Sequence, residues 1–283
     1  MAVLKKRDAN AGPEEGRRPA RTLLDPAALA ARCRQSRLLP TADLAPFVSA
    51  VWTLQWDFGP GEAFVQHVLP DPCVQIVVDP DGAQVMGVVT SLFSVTLTGS
   101  RFVFGLKFRP AAFCAFTHVP MSRLTNRRAP LDRFFSAVDD TMLGNLARAG
   151  DADGLKNAMA STLRTAAPVL DAKLQQVSDI VQRIASDSTI LTVEHAAQLY
   201  GLTPRALQRL CRIYVGAAPK WLIRLYRIKE AAARIEDGDV GGWADLAARL
   251  GYADQAHFIN DFRRLIGRSP GRYAGNGPRT VVG

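Results

Sequence analysis

Between Thr192 and Tyr273 the chain repeats one pattern twice, about fifty residues apart: a short apolar stripe, a glycine, a capping residue and a second apolar stripe. In the first copy, Val193, Ala196, Ala197 and Leu199 form the opening stripe. Gly201 follows, where glycine commonly ends a helix. Thr203 then reads as an N-cap with Pro204 at the first helical position. The helix that starts there buries Leu207, Leu210, Cys211 and Tyr214, and its opposite face carries Arg205, Gln208, Arg209 and Arg212. In the second copy Trp243, Leu246, Ala247 and Leu250 precede Gly251, and Asp254 caps a helix that buries Phe258, Phe262 and Leu265. Outside that stripe lie Gln255, His257, Asn260, Arg263 and Arg264, before Gly267 and Pro270 end the element.

This grammar predicts two helix-turn-helix units. The segment from Pro219 to Gly238 joins them as one helix, a rod of roughly 28 Å at about 1.5 Å per residue. Such a rod suits two reading helices about one DNA turn, roughly 34 Å, apart. Arginine pairs bidentately with guanine, and glutamine or asparagine with adenine, so the polar faces have base-reading chemistry. The expected DNA-contacting set is therefore Arg205, Gln208, Arg209 and Arg212 with Gln255, His257, Asn260, Arg263 and Arg264.

The arrangement resembles the AraC/XylS family of transcriptional regulators. Its motifs match at Leu207 and Arg209, Gly216 and Pro219, Arg227 and Ala231, Leu246 and Ala247, Gly251 and Tyr252, Phe258 and Phe262, and Gly267, Pro270 and Tyr273. Cys211 stands where the family usually has Phe, Leu222 where an aromatic residue is common, and Ala274 where Arg is usual. The first two are packing changes, and the third removes one backbone phosphate contact. The resemblance implies double-stranded DNA and RNA polymerase as partners.

Charge distribution agrees. The formal net charge is +9, of which residues 187–275 carry +4 and the much longer stretch 23–186 only +1. A basic local field attracts phosphates in a salt-dependent way. No run of 18 apolar residues occurs, so no membrane span or membrane partner is expected. Cys33, Cys73, Cys114 and Cys211 are scattered, which fits reduced thiols in a cytoplasmic protein better than disulfides or a zinc site.

From about 38 to 115 the texture is strand-like, with six or seven short runs rich in β-branched and aromatic residues separated by turn signals. An α+β chain follows: a small antiparallel barrel or sandwich with trailing helices, then an all-α double helix-turn-helix domain. The expected division is a disordered tail at 1–22, a sensor domain at 23–135, a helical connector at 136–187, the helix-turn-helix domain at 188–275 and a tail at 276–283. The run Leu69-Pro70-Asp71-Pro72-Cys73 and the later Gly105-Leu106-Lys107-Phe108-Arg109-Pro110 resemble the cupin-like sensor found ahead of many AraC-type domains. That resemblance implies a small-molecule effector or a homodimer. Arg109 is the expected contact for an anionic effector, with His67 as a second candidate. The apolar stripe Val169, Leu170, Leu174, Val177, Ile180, Val181 and Ile184 would, if exposed, seek a second copy.

No phosphate-binding loop, nucleophile elbow or paired carboxylates stand out. His67 and His118 alone would not hold a metal with the usual three or four ligands. Neither a cofactor, a metal nor a catalytic residue is expected. The alternative reading is a cupin-like small-molecule-binding or enzymatic protein with a helical protein-interaction tail.

Overall fold

A computed structural model describes residues 26–275 except 167, 169 and 170. The expected tails at 1–22 and 276–283, and the stripe members Val169 and Leu170, lie outside the described residues.

After a short helix α1 (Pro26–Arg32), eight strands follow: β1 (Arg34–Leu38), β2 (Val48–Asp57), β3 (Ala63–Val68), β4 (Gln75–Asp79), β5 (Gly82–Met86), β6 (Phe93–Thr98), β7 (Ser100–Phe108) and β8 (Arg128–Pro130). They pair antiparallel into a six-stranded sheet, ordered β1-β2-β7-β4-β5-β8, and a two-stranded sheet, β3-β6. The six strand-like runs of the sequence are β2 to β7. The polar edge strands β1 and β8 carry no apolar alternation and are set by pairing with a neighbour. Residues 110–135 form 3-10 turns at Ala112–Phe116, Met121–Arg123 and Leu131–Arg133 and the short strand β8, because Pro110, Pro120 and Pro130 interrupt any longer helix.

Period-two alternation gives the large sheet two faces. Val51, Ile76, Val78, Val85, Phe104 and Leu106 point into one core. Over that face lie α2 (Asp140–Ala149) and α3 (Ala152–Thr165), through Leu143, Ala147, Leu155, Met159 and Leu163. The other face looks towards β3 and β6 across a cavity.

Helix α4 (Ala172–Ser186) starts at Asp171, whose carboxylate accepts the Leu174 N–H at 2.6 Å. Its apolar stripe is not exposed. Leu174, Val177, Ile180, Val181 and Ile184 are all buried, and α4 packs against the 112–116 turn, the 211–215 turn and α7. The stripe therefore has its partner within the chain, which removes the basis for expecting a dimer through it.

The C-terminal helices are α5 (Val193–Gln198), α6 (Pro204–Leu210), α7 (Pro219–Glu236), α8 (Trp243–Arg249), α9 (Gln255–Ile266) and α10 (Pro270–Gly275). Core packing groups them unexpectedly. Ala196, Ala197, Leu207, Leu210 and Cys211 of the first unit, with Leu222 and Ile223 of α7, belong to the same core as α4 and the large sheet. The second unit has its own cluster of Ile228, Ala231, Leu246, Phe258, Phe262 and Leu265, joined by Leu69 from the strand region.

Candidate nucleic-acid interface

Each unit is built by local hydrogen bonds that the residue types demand. Thr192 accepts from the His195 N–H at 3.1 Å and starts α5; Thr203 accepts from Ala206 N–H at 3.2 Å and starts α6. Asp254 accepts from His257 N–H at 2.7 Å and starts α9. The turns between helices need left-handed backbone, which Gly201 (φ 62°) and Gly251 (φ 77°) supply without Cβ strain. Leu199 falls after the end of α5 and is exposed, since Tyr200 rather than Leu199 continues the period of Val193, Ala196 and Ala197. Beyond Leu210 the helix widens into a π turn over Cys211–Val215, closed by Gly216 N–H to Cys211 C=O at 2.9 Å.

These frames leave two polar faces in water. Arg205, Gln208, Arg209 and Arg212 of the first unit are exposed and line one shallow concavity with Thr203 and Ala206. Gln255, His257, Asn260, Arg263 and Arg264 of α9 are likewise exposed, while Phe258, Phe262 and Leu265 behind them are buried. The helix joining the units runs 18 residues, about 27 Å.

Two arginines of α7 hold the pair in place, and neither role was visible in local sequence. Arg224 donates through Nε to Asp261 Oδ2 at 2.6 Å and through Nη2 to Asp261 Oδ1, a bidentate pair that pins α9 to α7. Asp261 is buried on the inner side of α9. Arg227, buried too, donates to the Ile184 carbonyl at 2.7 Å, the Asp187 carbonyl at 3.1 Å and Glu230 Oε2 at 2.6 Å. It thereby satisfies carbonyls at the C-terminus of α4, where a cation is favoured. Arg227 stood out only as a motif match. The Arg224–Asp261 pair spans 37 residues and left no sequence signal.

Between the sheets lies a cavity of about 970 Å³. At its edge Lys107 of β7 ion-pairs with Asp71, and Lys229 of α7 lies 3.9 Å from the same carboxylate. Burial by itself would raise the Asp71 carboxyl, but Lys229, Lys107 and a hydrogen bond from the Cys73 thiol outweigh it and bring it down to about 2. Two further bonds join the strand region to the helix-turn-helix pair. Trp221 Nε1 donates to the Thr90 carbonyl at 3.0 Å, and Thr125 Oγ1 donates to the Gly216 carbonyl at 2.6 Å.

The two expected effector contacts are placed elsewhere. Arg109 is exposed, donates through Nε to the Ala45 carbonyl at 2.9 Å and does not line the cavity. It braces the loop before β2 instead. His67 sits on β3 with Nδ1 2.8 Å from Ser94 Oγ and is also outside the lining. Cys33, Cys73 and Cys211 are buried and Cys114 half-buried, all free thiols. Among the described residues, no three metal-ligating side chains gather and no helix is long and apolar enough to cross a membrane.

Comparison with known proteins gives two family matches. Residues 196–276 match a helix-turn-helix domain, and residues 36–130 match a domain of unknown function (DUF6597). No curated protein matches the chain. Among solved structures it is similar to the C-terminal domain of AraT, a response regulator from Geobacillus stearothermophilus, at 25% identity over 38% of this chain and 86% of that one, with a TM-score of 0.32. It is also similar to ToxT from Vibrio cholerae, at 10% identity over 86% of this chain and 98% of that one, with a TM-score of 0.37. With both units folded as their caps and glycines require, and their polar faces left outward, the chain carries a helix-turn-helix domain over residues 196–276 and is a DNA-binding transcriptional regulator.

Proposed function

We propose that α6 and α9 read two successive major-groove segments of one DNA face, and that occupancy of the cavity between the sheets modulates this binding. The observation that carries the first half is that both second helices bury their apolar stripes and present Arg205, Gln208, Arg209 and Arg212, or Gln255, His257, Asn260, Arg263 and Arg264, to solvent. The long guanidinium and amide side chains reach base edges, while other exposed cations of the domain neutralise phosphates. The second half is supported by the ion pairs from Asp71 to Lys107 in the sheet and Lys229 in α7, which tie the cavity edge to the helix between the reading heads.

In this reading the chain acts in the cytoplasm, where the chromosome is, and alters recruitment of RNA polymerase at a promoter. It assigns the chain no reaction. A dimer through the α4 stripe has no part in it, because that stripe is covered by the chain itself.

The test uses the full chain. Genomic fragments retained by the protein are sequenced, and the shared site is footprinted by major-groove methylation interference. The reading requires two protected segments about one turn apart. A single segment, or retention that ignores sequence at all salt concentrations, would refute it.

A further inference from the structure

The walls of the cavity also restrict the chemistry of what enters it, on the reading that the cavity is the effector site. Trp52 of β2 lies across β7 at Gly105. A Cβ on Gly105 would stand 2.0 Å from indole Cε2, 2.2 Å from Cζ2 and 2.5 Å from Nε1. Only glycine leaves room for the indole against the strand at this point, and Trp52 also lines the cavity. The ring is also fixed at its polar edge, where Trp52 Nε1 donates to Gln75 Oε1 at 3.1 Å. An indole N–H only donates, so the Gln75 side chain must present its oxygen to Trp52 and its NH2 elsewhere. That NH2 has no partner among the described residues, and Gln75 lines the cavity. Opposite, β6 contributes Phe93 and Val95. The site thus offers an aromatic wall, an apolar cover and, at Gln75, a hydrogen-bond donor set in place by Trp52.

Two of its cations already have carboxylate partners. Lys107, the most deeply placed, is held by Asp71, and Arg101 by Asp81 at 2.6 Å. Arg37 and Arg128 also line the cavity but are exposed to water. An anionic ligand at Lys107 would stand beside the buried Asp71 carboxylate, a like-charge contact that is costly in a low-dielectric site. A neutral ligand incurs no such cost.

We propose that the cavity takes a neutral, planar, mostly apolar molecule carrying a carbonyl-type acceptor. Its ring lies on Trp52 and its acceptor receives the Gln75 amide. The test titrates the full-length protein with 2-naphthamide and with its charged isostere 2-naphthoate at pH 7.5, by calorimetry. The amide should bind at least about tenfold more tightly than the carboxylate. Gln75→Glu keeps an acceptor for Trp52 but removes the donor, and should weaken the amide by about tenfold. Trp52→Leu should weaken it as well; if that variant does not fold, the probe pair and Gln75→Glu still decide. Equal or tighter binding of naphthoate overturns the neutral class while leaving the cavity as an effector site. Binding of neither probe overturns both.

Discussion

Asp71 answers two ammonium groups from distant parts of the chain, Lys107 on the sheet and Lys229 on α7. Its folded carboxyl, at about 2, lies below the unfolded value of about 3.9. The network therefore contributes fully above about pH 4 and loses its contribution as pH falls towards 2. Asp71→Asn keeps the shape but leaves the two lysines without their carboxylate. It should cost about 3 kcal/mol at pH 7, and the gap to wild type should narrow at pH 3. Urea denaturation at the two pH values measures this; an unchanged gap would show that Asp71 is not the titrating partner. On the reading face, Arg209 and Arg272 are both exposed, but only Arg209 lies on a reading helix. Arg209→Ala should cost about 1–3 kcal/mol at one base position and relax preference there. Arg272→Ala should weaken all sequences alike. Selection from random DNA separates the two, and unchanged preferences for Arg209→Ala would remove it from the base-reading set.

At the scale of elements, α7 is more than a spacer. Arg227 ties its middle to the end of α4, and Arg224 ties its first half to α9. Asp261→Ala leaves Arg224 half-buried without its carboxylate and should cost about 2 kcal/mol, less than for a fully buried pair. The expected footprint of this variant keeps the segment read by α6 and loses the one read by α9. Replacing both partners by Arg224→Met and Asp261→Leu restores packing and should recover much of the stability. Loss of both protected segments in Asp261→Ala would instead mean that the two units fold as one. The helix stripes and caps of this region were legible in the sequence, because helical period and N-cap bonds link residues within four positions. The π turn after Leu210 was not, since its geometry is closed by Gly216 wedged against the 121–125 segment.

For the whole molecule, the placement of the cores matters more than the order of the elements. The first helix-turn-helix unit shares its core with α4 and the strand region, whereas the second has a separate cluster that Leu69 and Leu92 of the strand region join. A fragment of residues 188–275 lacks α4 and exposes Leu207, Leu210, Cys211 and Val215 in part. It should melt well below the full chain, and extending it to residue 172 should recover part of the loss, as differential scanning calorimetry would show. Equal melting of fragment and full chain would mean the shared core contributes nothing to the first unit.

What the sequence by itself determined was local: where the C-terminal helices start and stop, which faces are apolar, and which polar side chains are left outward. Those follow from helical period, capping and glycine turns, each decided by near neighbours along the chain. Tertiary structure alone decided the rest. It covered the α4 stripe from within, turned Arg109 to a loop carbonyl, opened a cavity over Trp52 and brought Asp71 to Lys229. These outcomes depend on strand register and on contacts between residues as many as 158 positions apart, and no periodicity in a single segment encodes either.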